Sequence, residues 1–312
     1  MLSRAASNLF WLGRYVERAD FLVRLLESTL RLAALPSTYG GTTDVWRSAL
    51  KAGGAGDWYD GDGDPEEDDA LHHLALSADN PSSVRSCLER ARANSRAVRT
   101  ALTIDAWEAV NAAWHEIQRI REQPATRANA GGTLECVRKS LHALDGALHR
   151  SMLRNDALWF IRLGAAIERA DNTARLLDVK YTLLLPRGEH VGGGLDHFQW
   201  ATILRTVSAL TAYRWVYRES VKPWLVADLL IMNRQMPRSL LASYDEVVRH
   251  IDLLGADSGR RGAADRLAHA TLDWLEDGNT QRIFASGLHE FLQRFLAENN
   301  RLGTAVAEQY LF

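Results

Sequence analysis

Residues 12–27 of the chain read LGRYVERADFLVRLLE, and residues 163–178 read LGAAIERADNTARLLD. The two stretches align without a gap, so that Glu17 matches Glu168 and Arg18 matches Arg169. The offset is about half of the 312-residue chain. A repeat at a fixed long offset indicates that a structural unit occurs twice.

A second, weaker sequence similarity follows each stretch. Residues 81–83 read PSS and residues 237–239 read PRS, in the same order relative to the first repeat. Two copies are too few for a solenoid. We therefore expect a single domain, residues 1–312, built by internal duplication from a first half of about residues 1–150 and a second half of about 151–312.

The apolar residues predict an all-α protein, a helical bundle of two related halves. They recur at intervals of three and four over most of the chain, and the alternating pattern of strands is scarce. The glycine-rich segments 37–64 and 186–195 are expected to be the two main irregular connections, either of which could cover a site. Helical spacing covers residues 2–35, 82–121, 133–185, 196–233 and 237–303.

The repeated helix carries a polar stripe beside its apolar face. At about 100° per residue, four positions of each copy fall within a narrow arc. The glycine in each arc leaves room for a neighbouring backbone or a ligand. Arg18 and Arg169 are expected to point elsewhere. The stripes comprise Gly13, Glu17, Asp20 and Arg24 in the first copy and Gly164, Glu168, Asp171 and Arg175 in the second.

Three interpretations of these stripes remain open. The acids and arginines could form a buried ion-pair network that fixes how the halves pack. The arginines could instead hold a carboxylate or phosphate ligand. The carboxylates could also bind a divalent metal such as magnesium, although the neighbouring arginines disfavour this, and we expect neither a metal nor a cofactor. Each of these interpretations requires that the two stripes meet inside the protein.

A basic stripe on another predicted helix offers a second candidate anion site. Arg85, Arg92, Arg96 and Arg99 share one helix edge. We expect them to pair with the Glu17 and Glu168 stripes or with the acidic run at 57–69; alternatively they could cradle an anionic ligand. A separate triplet, His142, Asp145 and His149, has a spacing that a metal site could use, but the same spacing is common by chance.

Composition excludes several classes of protein. The net charge of −2 does not favour nucleic acid as a partner. Two widely spaced cysteines do not make a disulfide framework and suit a reducing cytoplasm. Charged residues interrupt every apolar stretch, so neither a membrane span nor a signal peptide is expected.

The sequence resembles the bacterial alpha-E family, a helical domain named for its Glu-Arg motifs. The resemblance rests on the two ERAD elements at 17–20 and 168–171, the opening residues 2–15, residues 91–108, and Met236-Pro237-Arg238-Ser239. It implies a domain encoded beside, or fused to, a circularly permuted ATP-grasp ligase, often with a transglutaminase-like protein. Such systems resemble machinery that makes or modifies peptides.

We therefore expect a companion of an amide ligase that binds the ligase or its peptide or amino-acid substrate. An enzyme that uses Glu17 and Glu168 as acid or base is the alternative, and a purely structural assembly protein is a third. The candidate binding residues are Asp20, Arg24, Asp171, Arg175, Arg92, Arg96, Arg99, Arg238 and Ser239.

Overall fold

The computed structural model describes residues 3–34, 45–61, 64–121, 126–182 and 194–312. Within these ranges 14 α-helices and no strands occur, and 81% of the described residues are helical, which confirms the all-α fold. The helices are α1 (Ser3–Ala33), α2 (Val45–Ala52), α3 (Glu67–Ala75), α4 (Val84–Ala97), α5 (Ile104–Arg121), α6 (Arg127–Ser151), α7 (Asp156–Thr182), α8 (Gly194–Thr206), α9 (Leu210–Tyr217), α10 (Pro223–Ile231), α11 (Leu240–Ser258), α12 (Ala263–Glu276), α13 (Thr280–Ser286) and α14 (Leu288–Tyr310).

Local capping explains where several helices begin. The Ser83 hydroxyl accepts a hydrogen bond from the backbone N–H of Ser86 at the start of α4. Ser239 does the same for α11, and Asn279 does so for α13. Pro223 occupies the first turn of α10, where its missing N–H is not needed. These caps divide the long helical segments of the sequence into shorter helices.

The expectation of an irregular connection over 37–64 is partly wrong. Residues 45–52 form α2, and both carboxylate oxygens of Asp64 accept hydrogen bonds from backbone N–H groups at its start, those of Trp46 and Arg47. A carboxylate at a helix N-terminus satisfies donors that the helix itself cannot. Residues 37–44 and 186–193 lie outside the described residues, and α8 begins at Gly194.

Eight of the described helices form two groups of four with the same neighbour order. In the first group α1 packs on α4, α4 on α5, α5 on α6, and α6 on α1. In the second group α7 packs on α11, α11 on α12, α12 on α14, and α14 on α7. This correspondence agrees with the repeat in the sequence, and the duplication itself stays a prediction.

The two groups meet where α1 crosses α7, the most extensive packing between any two described helices. A glycine of each helix faces a carbonyl oxygen of the other: Gly13 lies against Ile161, and Gly164 lies against Phe10. These contacts are reciprocal, because each pair joins the same two positions of the repeat. Glycine is required here because a side chain would collide with the opposite backbone.

The buried apolar side chains form one cluster that extends from Ala6 to Tyr310 and includes residues of both groups. The α1–α7 crossing lies within this cluster, since Leu12, Ala19, Leu163 and Ala170 are all at most 1% exposed. Of the helices described, none combines the length and the apolar character needed to span a membrane.

Candidate functional site

The carboxylate of Glu17 on α1 is held by two arginines of the second half. Arg169 on α7 donates to Glu17 Oε2 from Nη2 at 2.9 Å. Arg238, in the turn before α11, donates from Nη1 to Glu17 Oε1 at 2.6 Å and from Nη2 to Asp20 Oδ2 at 2.6 Å. Glu17 is buried, so both of its oxygens depend on these bonds.

Glu168 on α7 is held in turn by two arginines of α1. Arg18 donates from Nε to Oε1 at 2.5 Å and from Nη2 to Oε2 at 3.1 Å. Arg14 donates from Nε to Oε2 at 2.7 Å. The two Glu-Arg dipeptides therefore exchange partners between the halves, so the glutamate of each stripe is buried against the other repeated helix. Among the described residues, neither glutamate bonds to a member of the other stripe, because its partners lie outside both stripes.

The prediction that Arg18 and Arg169 point away from this region is wrong. The helical wheel places each arginine about 100° from the glutamate of its own stripe, but the close glycine contacts bring the opposite helix within its reach. Because contact Gly13–Ile161 precedes contact Glu17–Arg169 on both helices, α1 and α7 cross in the same chain direction.

Asp20 connects this network to a second row of side chains. Its Oδ2 accepts from Arg24 Nε at 2.8 Å, in addition to Arg238. Arg24 in turn donates to the Ser208 hydroxyl at 2.6 Å and contacts His142 Nε2 at 2.8 Å. Ser208 has a left-handed backbone (φ 57°), an unusual conformation for a residue with a side chain, and this conformation holds its hydroxyl at the arginine.

The equivalent of Asp20 in the second half has fewer partners. Asp171 Oδ2 accepts from Arg175 at 2.6 Å, but the position equivalent to Arg238 is Ser82. Among the residues described, Asp171 Oδ1 and Asp20 Oδ1 are both buried without a hydrogen bond. The second arginine of Glu168 is Arg14 instead, whose equivalent on α7 is an alanine. Each glutamate thus has two arginines, supplied in different ways.

These ion pairs keep both glutamates ionised. Burial alone would raise the pKa of Glu17, but the attraction of Arg169 and Arg238 outweighs it and lowers the pKa from 4.5 to about 2. Burial opposes ionisation of Glu168 in the same way, and Arg18 and Arg14 lower its pKa below the ordinary value. Ion pairing and hydrogen bonding to the charged form have overcome desolvation at both sites.

Ser239, a predicted binding residue, has a structural role. Its hydroxyl caps α11 and donates to the backbone carbonyl of Asn233 at 2.7 Å. Ser83 makes the equivalent bonds in the first half, donating to Ser77 at 2.6 Å. Both hydroxyls are fully buried, so neither is offered to a ligand. The turn that Ser239 closes places the neighbouring Arg238 against Glu17.

A cleft of about 1060 Å³ opens beside the Glu17 side of this network. Its walls come from α1, α6, α7, α11 and the turn before α11. The charged groups that line it are seven arginines and five carboxylates, an excess of two positive charges, together with three histidines. They are Arg24, Arg154, Arg162, Arg169, Arg234, Arg238, Arg249, Glu17, Asp20, Asp145, Asp245, Glu246, His142, His149 and His250.

The predicted pairing of the basic stripe on α4 is wrong. Arg92 donates to the side chain of Asn111 on α5 at 2.8 Å, Arg99 lies over the Trp107 ring, and Arg85 donates to the backbone carbonyl of Leu76. Arg96 is exposed. In the described part of the chain none of the four reaches Glu17 or Glu168 or lines the cleft, because the apolar side of α4, and not this edge, faces α1.

The triplet of His142, Asp145 and His149 lies on the cleft wall formed by α6. His142 contacts Arg24, and Asp145 accepts from Arg162 at 2.6 Å. Across the residues that the structure describes, no group of three or more His, Cys, Asp or Glu side chains is arranged to hold a metal ion. The three side chains therefore form part of the charged wall of the cleft.

Sequence reasoning missed several residues of the site. Arg14 was outside the repeated pattern, because its equivalent is Ala165. Arg154, Arg162 and Arg249 carry no local signature, and only the packing of α6, α7 and α11 brings them to one cleft. Of these three, only Arg162 can be found by a helical-wheel search for arginines on the cleft side of α7.

A family described as "a predicted alpha-helical domain with a conserved ER motif" matches residues 1–311. The chain belongs to this family, Alpha-E. Two Glu-Arg dipeptides, Glu17-Arg18 and Glu168-Arg169, lie in the repeated helices that exchange ion pairs. The structure therefore gives the Glu-Arg dipeptide a physical role in this Alpha-E chain, that of joining α1 to α7.

Curated relatives of this Alpha-E chain occur in mycobacteria. Uncharacterised proteins of Mycobacterium bovis and Mycobacterium tuberculosis are each 26% identical to it over 281 residues, which is 82% of this chain. The match covers 30% of each relative, so the chain spans less than a third of their length. No solved structure matches the chain at a significant level.

Proposed function

We propose that this Alpha-E domain is a non-catalytic companion of an ATP-grasp amide ligase and that it holds the ligase's peptide or amino-acid substrate in the cleft. The observation that carries the proposal is the cleft itself, which is large enough for a short peptide and has an excess of positive charge. Arginines recognise carboxylates with two parallel hydrogen bonds, and peptides and amino acids carry carboxylates.

The environment of the two glutamates favours binding over catalysis. A general acid or base works best with a pKa near the pH of the reaction. Glu17, with a pKa of about 2, holds no proton to donate and is a weak base. Both of its oxygens also accept hydrogen bonds from arginines. The alternative in which Glu17 and Glu168 act as acid or base therefore has less physical support.

The ligase partner comes from family resemblance, which is a weaker argument than geometry. The mycobacterial relatives are more than three times as long as the region they share with this chain, so in them the domain accompanies other chain segments. A companion role agrees with that arrangement. The proposal places the complex in the cytoplasm, where ATP is available and where the free thiols of Cys87 and Cys136 are stable. A transglutaminase-like protein would be a further component.

Reconstitution tests the proposal. The ligase encoded next to this chain is incubated with ATP and candidate amino acids or peptides, and the mass of the product is followed with and without the chain. We expect the chain to have no turnover alone and to increase product formation or change its length when added. An unchanged product profile in its absence would reject the companion role.

The enzymatic alternative makes a different prediction for Glu17→Gln. If Glu17 transfers protons, this variant loses activity while its melting temperature stays near that of the parent chain. If the ion-pair network is structural, the melting temperature falls strongly.

A further inference from the structure

We propose that the cleft binds an acidic peptide in extended conformation, with carboxylates of the peptide held by arginines along α7. This inference rests on the proposed function and names the class of substrate. Arg162 and Arg169 lie on the cleft side of α7, seven residues apart, and Arg154 stands two residues before the helix begins. From Asp156, the first residue of α7, to Arg162 the helix rises about 9 Å, and Arg154 lies two residues earlier, so Arg154 and Arg162 are on the order of 12 Å apart along the axis.

The three arginines differ in how freely their guanidinium groups can bind a ligand. Within the described ranges Arg154 is exposed and makes neither an ion pair nor a hydrogen bond. Arg162 pairs with Asp145, but the carboxylate of Asp145 is 66% exposed, and ion pairs of exposed groups are weak and readily exchanged. Arg169 is committed to the buried carboxylate of Glu17. Arg154 and Arg162 can therefore bind a ligand, whereas Arg169 cannot without giving up its ion pair with Glu17.

The surfaces beside these arginines suit a peptide. Leu158 and Trp159 lie between Arg154 and Arg162 along the chain and line the cleft, which gives an apolar surface for side-chain methylenes. On the opposite wall Arg249 is only loosely paired with Glu246, at 3.6 Å. In the extended polyproline II conformation a chain has three residues per turn and rises about 3.1 Å per residue, so two carboxylates three residues apart share one side and lie about 9 Å apart. The lengths of the glutamate and arginine side chains make up the remaining distance to Arg154 and Arg162.

The carboxylates of the cleft disfavour a more highly charged ligand. Five of them line the same cleft, so a polyphosphate would meet repulsion as well as attraction. A peptide carries fewer charges, and its backbone N–H groups and any free amine can donate to Asp145, Asp245 and Glu246. The mixed charge of the walls therefore favours an acidic peptide over a nucleotide.

A direct binding experiment tests this inference without the ligase. The full chain is titrated against fluorescein-labelled Glu-Ala-Ala-Glu at low ionic strength, and binding is followed by fluorescence anisotropy. Labelled Gln-Ala-Ala-Gln and Glu-Glu-Ala-Ala are the comparison peptides. We expect Glu-Ala-Ala-Glu to bind at least tenfold more tightly than Gln-Ala-Ala-Gln and measurably more tightly than Glu-Glu-Ala-Ala. Inorganic phosphate and ATP are used as competitors and should displace it poorly.

A matched pair of variants locates the site. Arg154→Gln should weaken binding of Glu-Ala-Ala-Glu at least fivefold. Arg150→Gln removes an equally exposed arginine that does not line the cleft, and it should leave binding unchanged. Neither substitution removes a described contact, so both variants should fold like the parent chain.

Several results would overturn the inference. They are equal affinity for the glutamate and glutamine peptides, equal effects of Arg154→Gln and Arg150→Gln, and displacement by ATP at lower concentration than by unlabelled peptide. If the peptides fail to bind but the ligase still needs the chain, only this inference fails. If the peptides bind and the ligase reaction is indifferent to the chain, the companion role fails instead.

Discussion

Glu17 of α1 and Arg169 of α7 are joined by a buried ion pair, although they come from different Glu-Arg dipeptides. The reciprocal pair joins Arg18 to Glu168. The residues of each Glu-Arg dipeptide thus form ion pairs with the other helix and not with each other. This exchange makes the stability of each half depend on the other half.

Glu17→Gln should lower the free energy of unfolding by about 3–5 kcal/mol, because it leaves Arg169 and Arg238 buried without their shared carboxylate. Urea denaturation at pH 7 measures the change. Glu135→Gln is the control, since Glu135 is an exposed partner of Lys139, and its denaturation midpoint should not shift. In a double-mutant cycle with Arg169→Gln, the two losses should be clearly less than additive; full additivity would contradict a direct interaction.

Gly13→Ala should destabilise the fold by at least about 3 kcal/mol, because the added Cβ would lie 2.0 Å from the carbonyl oxygen of Ile161. Gly146→Ala is the matched control on α6, where a Cβ meets nothing within 4 Å. It should stabilise the chain by about 0.5–1 kcal/mol, as alanine favours a helix interior over glycine. Similar midpoints for the two variants would show that α1 and α7 are not in close contact.

Acid should remove the stabilisation that Glu17 provides. Its pKa is about 2 in the folded chain and 4.5 ordinarily, so the unfolded state binds more protons between these values. The contribution is complete above pH 4.5 and is lost as the pH falls toward 2, and it amounts to about 3 kcal/mol. Denaturation curves at pH 7, 5, 4 and 3 should show the difference between the parent chain and Glu17→Gln shrinking below pH 4.5. A constant difference down to pH 3 would refute the lowered pKa.

Arg14 and Arg238 provide the second arginine of Glu168 and Glu17 respectively, from positions that are not equivalent. Arg14→Ala should therefore destabilise the chain, and adding Ser82→Arg should restore part of the loss by placing an arginine where Arg238 stands in the other half. Thermal denaturation of the single and double variants measures the rescue. Ser82→Gln, which adds length without charge, is the control and should restore nothing.

The sequence predicted the fold class and the two polar stripes because both depend on local periodicity. Glu17, Asp20, Arg24 and their equivalents form the expected stripes, since a helix fixes which residues share a side. The partners of Glu17 could not be predicted this way. Which arginine reaches it depends on how closely α1 and α7 approach, a property of two helices together.

The cleft was not foreseen for the same reason. Arg154, Arg162 and Arg249 come from separate parts of the chain, and their proximity follows from the packing of α6 on α1, of α1 on α7 and of α7 on α11. Conversely, the basic edge of α4 looked like a binding surface in the sequence, yet Arg92 is engaged by Asn111 of α5. A charge pattern on one helix does not identify the neighbour that it will meet.

The reciprocal glycine contact between α1 and α7 can form only late during synthesis of the chain. α1 leaves the ribosome first, but the backbone it must pack against, around Ile161, is translated about 150 residues later. At a bacterial rate of about 5–20 residues per second, this interval is on the order of ten seconds. During this interval α4 and α6 can cover their own sides of α1, but the side of α1 that packs on α7 stays exposed until the second half arrives.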